Sequence, residues 1–127
     1  MDFVIGGCHQ GKMQYVIDTY GYTKEEMLFG EASDVYTAKD KKCLYGFHLL
    51  IKKILKEGKD MESSLAQIFA QNEIKVIVSE EIGYGIVPVD AFEREYREAV
   101  GRQCCSIAKE ADHVIRMVSG IAKKIKG

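Results

Sequence analysis

Gly6-Gly7-Cys8-His9-Gln10-Gly11-Lys12-Met13, GGCHQGKM, follows directly on the chain's first apolar run, Phe3-Val4-Ile5. The spacing GxxxxGK is intact in Gly6, Gly11 and Lys12. Glycines in this pattern let successive backbone N–H groups turn inward around phosphate oxygens, and the lysine ammonium reaches the terminal phosphates. The next position ordinarily holds Ser or Thr, whose hydroxyl helps to bind Mg²⁺. Here it is Met13, and a thioether is a poor ligand for that hard cation. Residues 6–13 thus form a candidate phosphate-binding loop with a weakened metal side.

The flanking sequence supports that reading. Residues 2–5 have the composition of a short buried strand, and the chain from Lys12 to Thr19 reads as a helix stopped at Gly21. Strand, glycine-rich turn and helix is the context the motif requires, because the helix N-terminus adds partial positive charge at the anion. The same string also suits an ordinary tight strand-to-helix turn carrying an exposed lysine.

Further along, Thr23-Lys24-Glu25-Glu26 resembles a capping box that starts one more helical turn. Val35-Tyr36-Thr37 reads as a short strand. Between Lys41 and Glu57 the apolar positions Leu44, Phe47, His48, Ile51, Ile54 and Leu55 recur at helical spacing, with Gly58 as a stop. Asp60 caps a following helix with Leu65, Ile68 and Phe69 on its apolar side. Residues 74–79, IKVIVS, form the clearest strand, short and β-branched as a buried parallel strand is. Asp90 and Glu93 open the longest helix, and residues 113–118 form a last strand ending at Ser119-Gly120. Strands alternating with helices imply a parallel sheet flanked by helices.

In such sheets ligands bind outside the carboxyl ends of the strands. Three loop-like segments are expected to meet there: residues 6–13, residues 80–88, and residues 119–124. A carboxylate at the end of a neighbouring strand is what phosphoryl transfer needs to hold Mg²⁺ or to orient a nucleophile. Glu80 and Glu81 are the candidates; two solvated acids at a strand end is the other reading.

Composition narrows the class. At 127 residues, 46% hydrophobic and 29% charged, the chain fits a single soluble globular domain spanning residues 1–127. A net charge of −1 gives no bulk attraction to nucleic acid or to an anionic membrane. No apolar stretch approaches the roughly 20 residues that span a bilayer, and a signal-peptide layout is lacking, so a cytoplasmic location is expected. Cys8, Cys43, Cys104 and Cys105 form no CxxC pair, and neighbours on a helix point about 100° apart. Reduced, mostly buried thiols are expected, with Cys8 in the loop the one placed for reactivity.

Residues 76–88, VIVSEEIGYGIVP, and the region 91–126 that begins AFEREYREAVGRQ resemble one family. The chain is similar to the adenosylcobinamide kinase/adenosylcobinamide-phosphate guanylyltransferase family, whose pattern here is N-E-[VI]-G-x-G-[IV]-V-P, then R-x-[FY]-R-[DE]-x-x-G-R, then A-D-x-V and a final glycine. Glu81, Gly83, Gly85, Val87 and Pro88, then Tyr96, Arg97, Glu98, Gly101 and Arg102, then Ala111, Asp112, Val114 and Gly120 fall on it. The resemblance implies an α/β, P-loop NTPase-like fold, a mostly parallel sheet in a three-layer arrangement. It implies ATP or GTP as phosphate donor, a corrinoid substrate, a role in cobalamin biosynthesis and a homo-oligomer. Three positions depart from it. Met13 replaces the family's serine, Glu80 stands where the family has asparagine, and the middle of the chain is much shorter. The family's guanylyl-carrying histidine lies in that middle region and has no counterpart here; His48 falls on an apolar helix face, where it reads as a packed core residue, with a catalytic role as the other reading.

The expected function is nucleotide-dependent phosphoryl transfer. Lys12 and Glu81 are the candidate catalytic residues, and Gly6, Gly7, Cys8, His9, Gln10, Gly11, Lys12 and Met13 would bind nucleotide. Glu80, Arg97 and Arg102 are further candidates for carboxylate, phosphate or subunit contacts. A nucleotide-binding regulatory or assembly protein without catalysis is the alternative that Met13 and the short middle motivate.

Overall fold

The computed structural model describes residues 1–8, 10–82 and 90–127. In chain order the elements are β1 (Asp2–Gly6), α1 (Lys12–Tyr20), a 3₁₀ turn (Lys24–Glu26), β2 (Met27–Phe29), β3 (Cys43–Tyr45), α2 (Phe47–Lys56), α3 (Met61–Gln71), β4 (Val76–Glu80), α4 (Ala91–Glu110), β5 (His113–Val118) and β6 (Ile121–Lys126). The strands form one sheet in the order β2-β3-β4-β1-β5-β6. All neighbouring pairs are parallel except β5 with β6.

The period of two along a strand sends alternate residues to opposite faces. Both faces of the central strands are covered, which explains their near-continuous apolar runs. Phe3, Leu44, Ile77 and Val114 pack with α2, α3 and α4 through Phe47, Leu50, Ile51, Ile54, Ile68 and Val100. Val4, Cys43, Val76, Val78, Ile115 and Met117 face the other way, onto Val16 of α1. The result is the three-layer, mostly parallel α/β sheet with P-loop NTPase-like architecture that was expected.

Helix ends follow from local chemistry. The Asp60 side chain accepts from the Ser63 N–H at 2.9 Å, and Asp90 accepts from Phe92 at 2.7 Å and Glu93 at 3.3 Å. These bonds satisfy donors that a helix leaves unpaired at its start. Gly21 ends α1 in the left-handed region at φ 72°, its N–H bonded to the Ile17 carbonyl at 3.0 Å.

Three expectations are corrected. Residues 35–37 are turn rather than strand: the Thr37 N–H closes locally on the Asp34 carbonyl at 3.0 Å, while Val35 is fully buried. The helical spacing read from Lys41 begins too early. Cys43–Tyr45 is a strand between β2 and β4, and α2 starts only after Gly46, whose left-handed φ of 83° breaks the chain direction. Leu44 is apolar because it lies in a buried strand, and its spacing to Phe47 is coincidental. Residues 119–124 are mostly strand β6 rather than loop. Ser119 (φ 51°) and Gly120 (φ 78°) make the tight turn, both positive as hairpin turns that match strand twist require. The short β2 escaped the sequence reading. Among the described residues no helix is long and apolar enough to cross a membrane.

Gly30 follows β2 and sits against the start of α2. Its N–H donates to the Tyr45 carbonyl at 2.9 Å, and a Cβ there would come within 2.1 Å of the Gly46 carbonyl oxygen and 2.8 Å of the Leu50 nitrogen. Both neighbours are backbone and cannot turn aside. Gly30→Ala is expected to destabilise the fold by about 2 kcal/mol or more. Gly101→Ala, at a helical position where a Cβ meets nothing within 4 Å, is expected to be neutral or stabilising by up to about 1 kcal/mol. Urea unfolding midpoints of the two variants check the contrast.

Candidate phosphate-binding site

Strand register decides which groups meet at the loop. Gly6, the last residue of β1, pairs with Glu80 of β4 on one side and Met117 of β5 on the other. The Glu81 N–H extends the ladder by one bond, to the Gly6 carbonyl at 2.9 Å. A Cβ at Gly6 would lie 2.6 Å from the Met117 carbonyl oxygen, so glycine there permits the close approach of β5. The loop leaves β1 between the two acids and the β5–β6 turn.

Gly11 precedes α1 in the left-handed region at φ 85°, a conformation that favours glycine. The first turn of α1 carries no acidic residue and no side-chain cap, so its partial positive charge is not offset locally. Gln10 braces the loop against the far hairpin: its carbonyl accepts from the Gly120 N–H at 3.1 Å, and its side-chain oxygen accepts from the Ser119 N–H.

Lys12 is only 6% exposed, and its Nζ donates to the Gly7 carbonyl at 2.6 Å. Burial lowers its pKa, opposed by the negative groups Glu80, Cys8 and Glu81 in that order. Lys12 lies beside a hollow of about 470 Å³ bordered by Cys8, Gln10, Gly11, Lys12, Met13, Gln14, Tyr45 and Glu80. Met13 is half-buried and packs against the apolar cluster that includes Val4 and Val16. Its thioether belongs to the α1–sheet packing as much as to the hollow.

The two consecutive acids share a hollow lined also by Phe3, Val100 and Cys104, but part towards the loop. Glu80 borders the loop hollow, whereas Glu81 borders a second hollow of about 280 Å³ with Gly7, Gln10, Arg116, Met117 and Val118. Glu81 is held by a two-point ion pair to Arg116, Nε–Oε1 at 2.8 Å and Nη2–Oε2 at 3.2 Å. Such forked pairs fix geometry as well as charge. Arg97 and Arg102 lie on α4 and border neither of these hollows. Arg102 borders a separate surface depression with Asp60, Glu62 and Glu95. His9 and residues 83–88 of the expected second segment lie outside the described residues.

Two residues that the sequence reading left out of the site border or support the loop hollow. Tyr45 ends β3 beside it, and burial raises the Tyr45 phenol pKa. His48, in the first turn of α2 and 8% exposed, accepts at Nδ1 from the Glu80 N–H at 3.2 Å; its Nε2 lies 3.5 Å from Glu80 Oε2. Burial lowers the His48 pKa, opposed first by Glu80, with Lys12 adding to the lowering. The signal for Tyr45 was obscured because its strand passed for the start of a helix. His48 looked like a core residue, and by burial it is one.

Mg²⁺ fits these side chains poorly. The hollow offers a thiol, a thioether, a phenol, two glutamine amides and a single carboxylate, beside the Lys12 ammonium, where a hard cation prefers several charged oxygen ligands. Among the described residues no group of three or more His, Cys, Asp or Glu side chains is placed to hold a metal ion.

Comparison with known proteins places residues 5–125 on the model of the cobinamide kinase / cobinamide phosphate guanyltransferase family. The chain is 45% identical over 51 residues to the bifunctional adenosylcobalamin biosynthesis protein CobU of Salmonella typhimurium, a match covering 40% of this chain and 28% of that protein. The protein of the same description from Escherichia coli is 43% identical over 51 residues, again 40% of this chain and 28% of the relative. The chain thus matches little more than a quarter of the length of these curated relatives.

Two measurements probe the site. Cys8 and Cys105 are exposed, whereas burial pushes Cys43 up to about 12 and Cys104 up to about 11. An aromatic disulfide reagent at neutral pH is therefore expected to label Cys8 and Cys105 rapidly, and Cys43 and Cys104 only on unfolding; the variant Cys105→Ser isolates the Cys8 phase. The second concerns acid stability. A histidine whose folded pKa lies below its unfolded value of about 6.5 resists a proton that the unfolded chain accepts. The His48 contribution is thus complete above about pH 6.5 and is lost as pH falls below it. Urea titrations are expected to show wild type losing stability more steeply than His48→Gln over that acid window.

Proposed function

The chain belongs to the cobinamide kinase / cobinamide phosphate guanyltransferase family, and from that premise we propose that it binds a nucleoside triphosphate, ATP or GTP, in the loop 6–12. It transfers the terminal phosphoryl group to the hydroxyl of a corrinoid acceptor, as a short kinase of the cobalamin pathway. The observation that carries the proposal is the buried Lys12 at the uncapped start of α1, with the Glu80 carboxylate across the same hollow. Phosphoryl transfer is driven mainly by positioning and by stabilising charge on the transferring group. A lysine and inward-turned backbone N–H groups supply that charge.

Each loop residue has a part in this reading. Gly6 and Gly11 allow the backbone to close around the β-phosphate, and Lys12 moves from the Gly7 carbonyl to the terminal phosphate oxygens. Glu81, engaged by Arg116, stiffens the far side of the loop near Gly7 and Gln10. The guanylyl-transfer half of the family chemistry is left out, because the chain has no counterpart of the family's histidine. The Mg²⁺ demand falls on the nucleotide's own phosphates, since the protein side of the hollow offers one carboxylate.

A second reading, a nucleotide-binding regulatory or assembly protein without turnover, is favoured by one specific observation. Met13 is packed into the α1–sheet core where a metal-binding hydroxyl would stand. Incubation with ATP or GTP, adenosylcobinamide and Mg²⁺ separates the two. The kinase reading expects phosphorylated product that Lys12→Ala reduces by about 100-fold or more, the scale of losing a key transition-state charge. Nucleotide binding by calorimetry without product in wild type would support the regulatory reading. Met13→Ser is expected to raise turnover and steepen its Mg²⁺ dependence.

A further inference from the structure

Glu80 and His48 are joined in a way the loop motif does not require. The Glu80 backbone N–H can only donate, so His48 Nδ1, 3.2 Å away, is its acceptor and carries no proton. A neutral ring then carries its proton on Nε2, the atom that faces Glu80 Oε2 at 3.5 Å. One imidazole thus binds the main-chain N–H of Glu80 and stands beside the carboxylate of the same residue. His48 itself is fixed by the core, 8% exposed at the start of a helix whose Phe47, Leu50, Ile51 and Ile54 are fully buried. Glu80 keeps its carboxylate a third exposed, at the border of the loop hollow and opposite Lys12.

We propose that Glu80 is the base that receives the proton of the acceptor hydroxyl, and that His48 is a positioning residue that keeps the Glu80 carboxylate aimed into the loop hollow. This rests on the phosphoryl-transfer reading above and names its proton acceptor. In the step, the acceptor oxygen forms its bond to the γ-phosphorus while its proton passes to Glu80. The bond from the γ-phosphorus to the bridging oxygen breaks, and its electron pair leaves with the nucleoside diphosphate. Protonated Glu80 then returns its proton to water. The charged groups facing His48 are Glu80 and Glu31, which favour its cation, and Lys12 and Lys52, which disfavour it. Its own burial outweighs them and keeps the ring neutral, the form in which the Nδ1 acceptor and Nε2 donor coexist.

The test measures kcat and KM for wild type, Glu80→Gln, His48→Leu and His48→Gln, with ATP or GTP and adenosylcobinamide. Thermal stabilisation by nucleotide serves as the check on folding and binding. Glu80→Gln is expected to lose about 100-fold or more in kcat, the scale of general-base catalysis. His48→Leu is expected to lose up to about 100-fold in kcat, the scale of misplacing a catalytic group, with nucleotide KM unchanged. His48→Gln, which restores an N–H donor, is expected to recover part of the rate and also serves if the leucine variant fails to fold. Turnover by wild type with the kcat of both His48 variants unchanged would overturn this proposal and leave the kinase reading standing. Nucleotide binding by wild type without turnover would overturn both.

Discussion

The parallel pairing of β1 with β4 and β5 is the constraint on which the site depends. Because Gly6 is abreast of both Glu80 and Met117, the chain must leave the sheet between an acidic strand end and a hairpin turn. The missing Cβ at Gly6 permits that approach, and the left-handed Gly11 redirects the backbone into α1. Lys12 is buried as a consequence, since it starts the helix that covers one face of the sheet. A shift of one residue in this register would turn every β1 side chain to the other face and take the loop away from Glu80.

The same alternation that builds the two apolar layers separates the two acids. Glu80 and Glu81 are neighbours in sequence, yet one borders the Lys12 hollow and the other is tied to Arg116 beside Gly7. Two carboxylates that read as a pair therefore have different neighbours. Met13 shows a related economy. At the position of a metal-binding hydroxyl it carries an apolar side chain that joins the packing of Val4 and Val16, trading a polar ligand for contact with the core.

Much of the fold was legible in the residues. The buried strands β1, β4 and β5 read correctly because both of their faces are apolar, and the helix starts at Asp60 and Asp90 read correctly because capping is a local interaction. Three-residue strands were not legible. Cys43–Tyr45 is too short to display a period of its own, and it borrowed the helical spacing of the residues that follow it. Strand β6 was missed for another reason: all six of its residues are exposed, so no buried face marks it, and its identity comes from backbone bonds to β5.

The sequence by itself determined the phosphate-loop spacing, the strands β1, β4 and β5 with the four helices between them, the family resemblance and the loss of the hydroxyl at Met13, all of which depend on residues close together in the chain. Tertiary structure alone decided which carboxylate borders the Lys12 hollow, that Tyr45 borders it too, and that His48 accepts from the Glu80 N–H at a sequence separation of 32. Those relations depend on strand register and on how α2 packs against β4. No spacing between neighbouring residues encodes them, because they arise only when buried faces choose their partners in three dimensions.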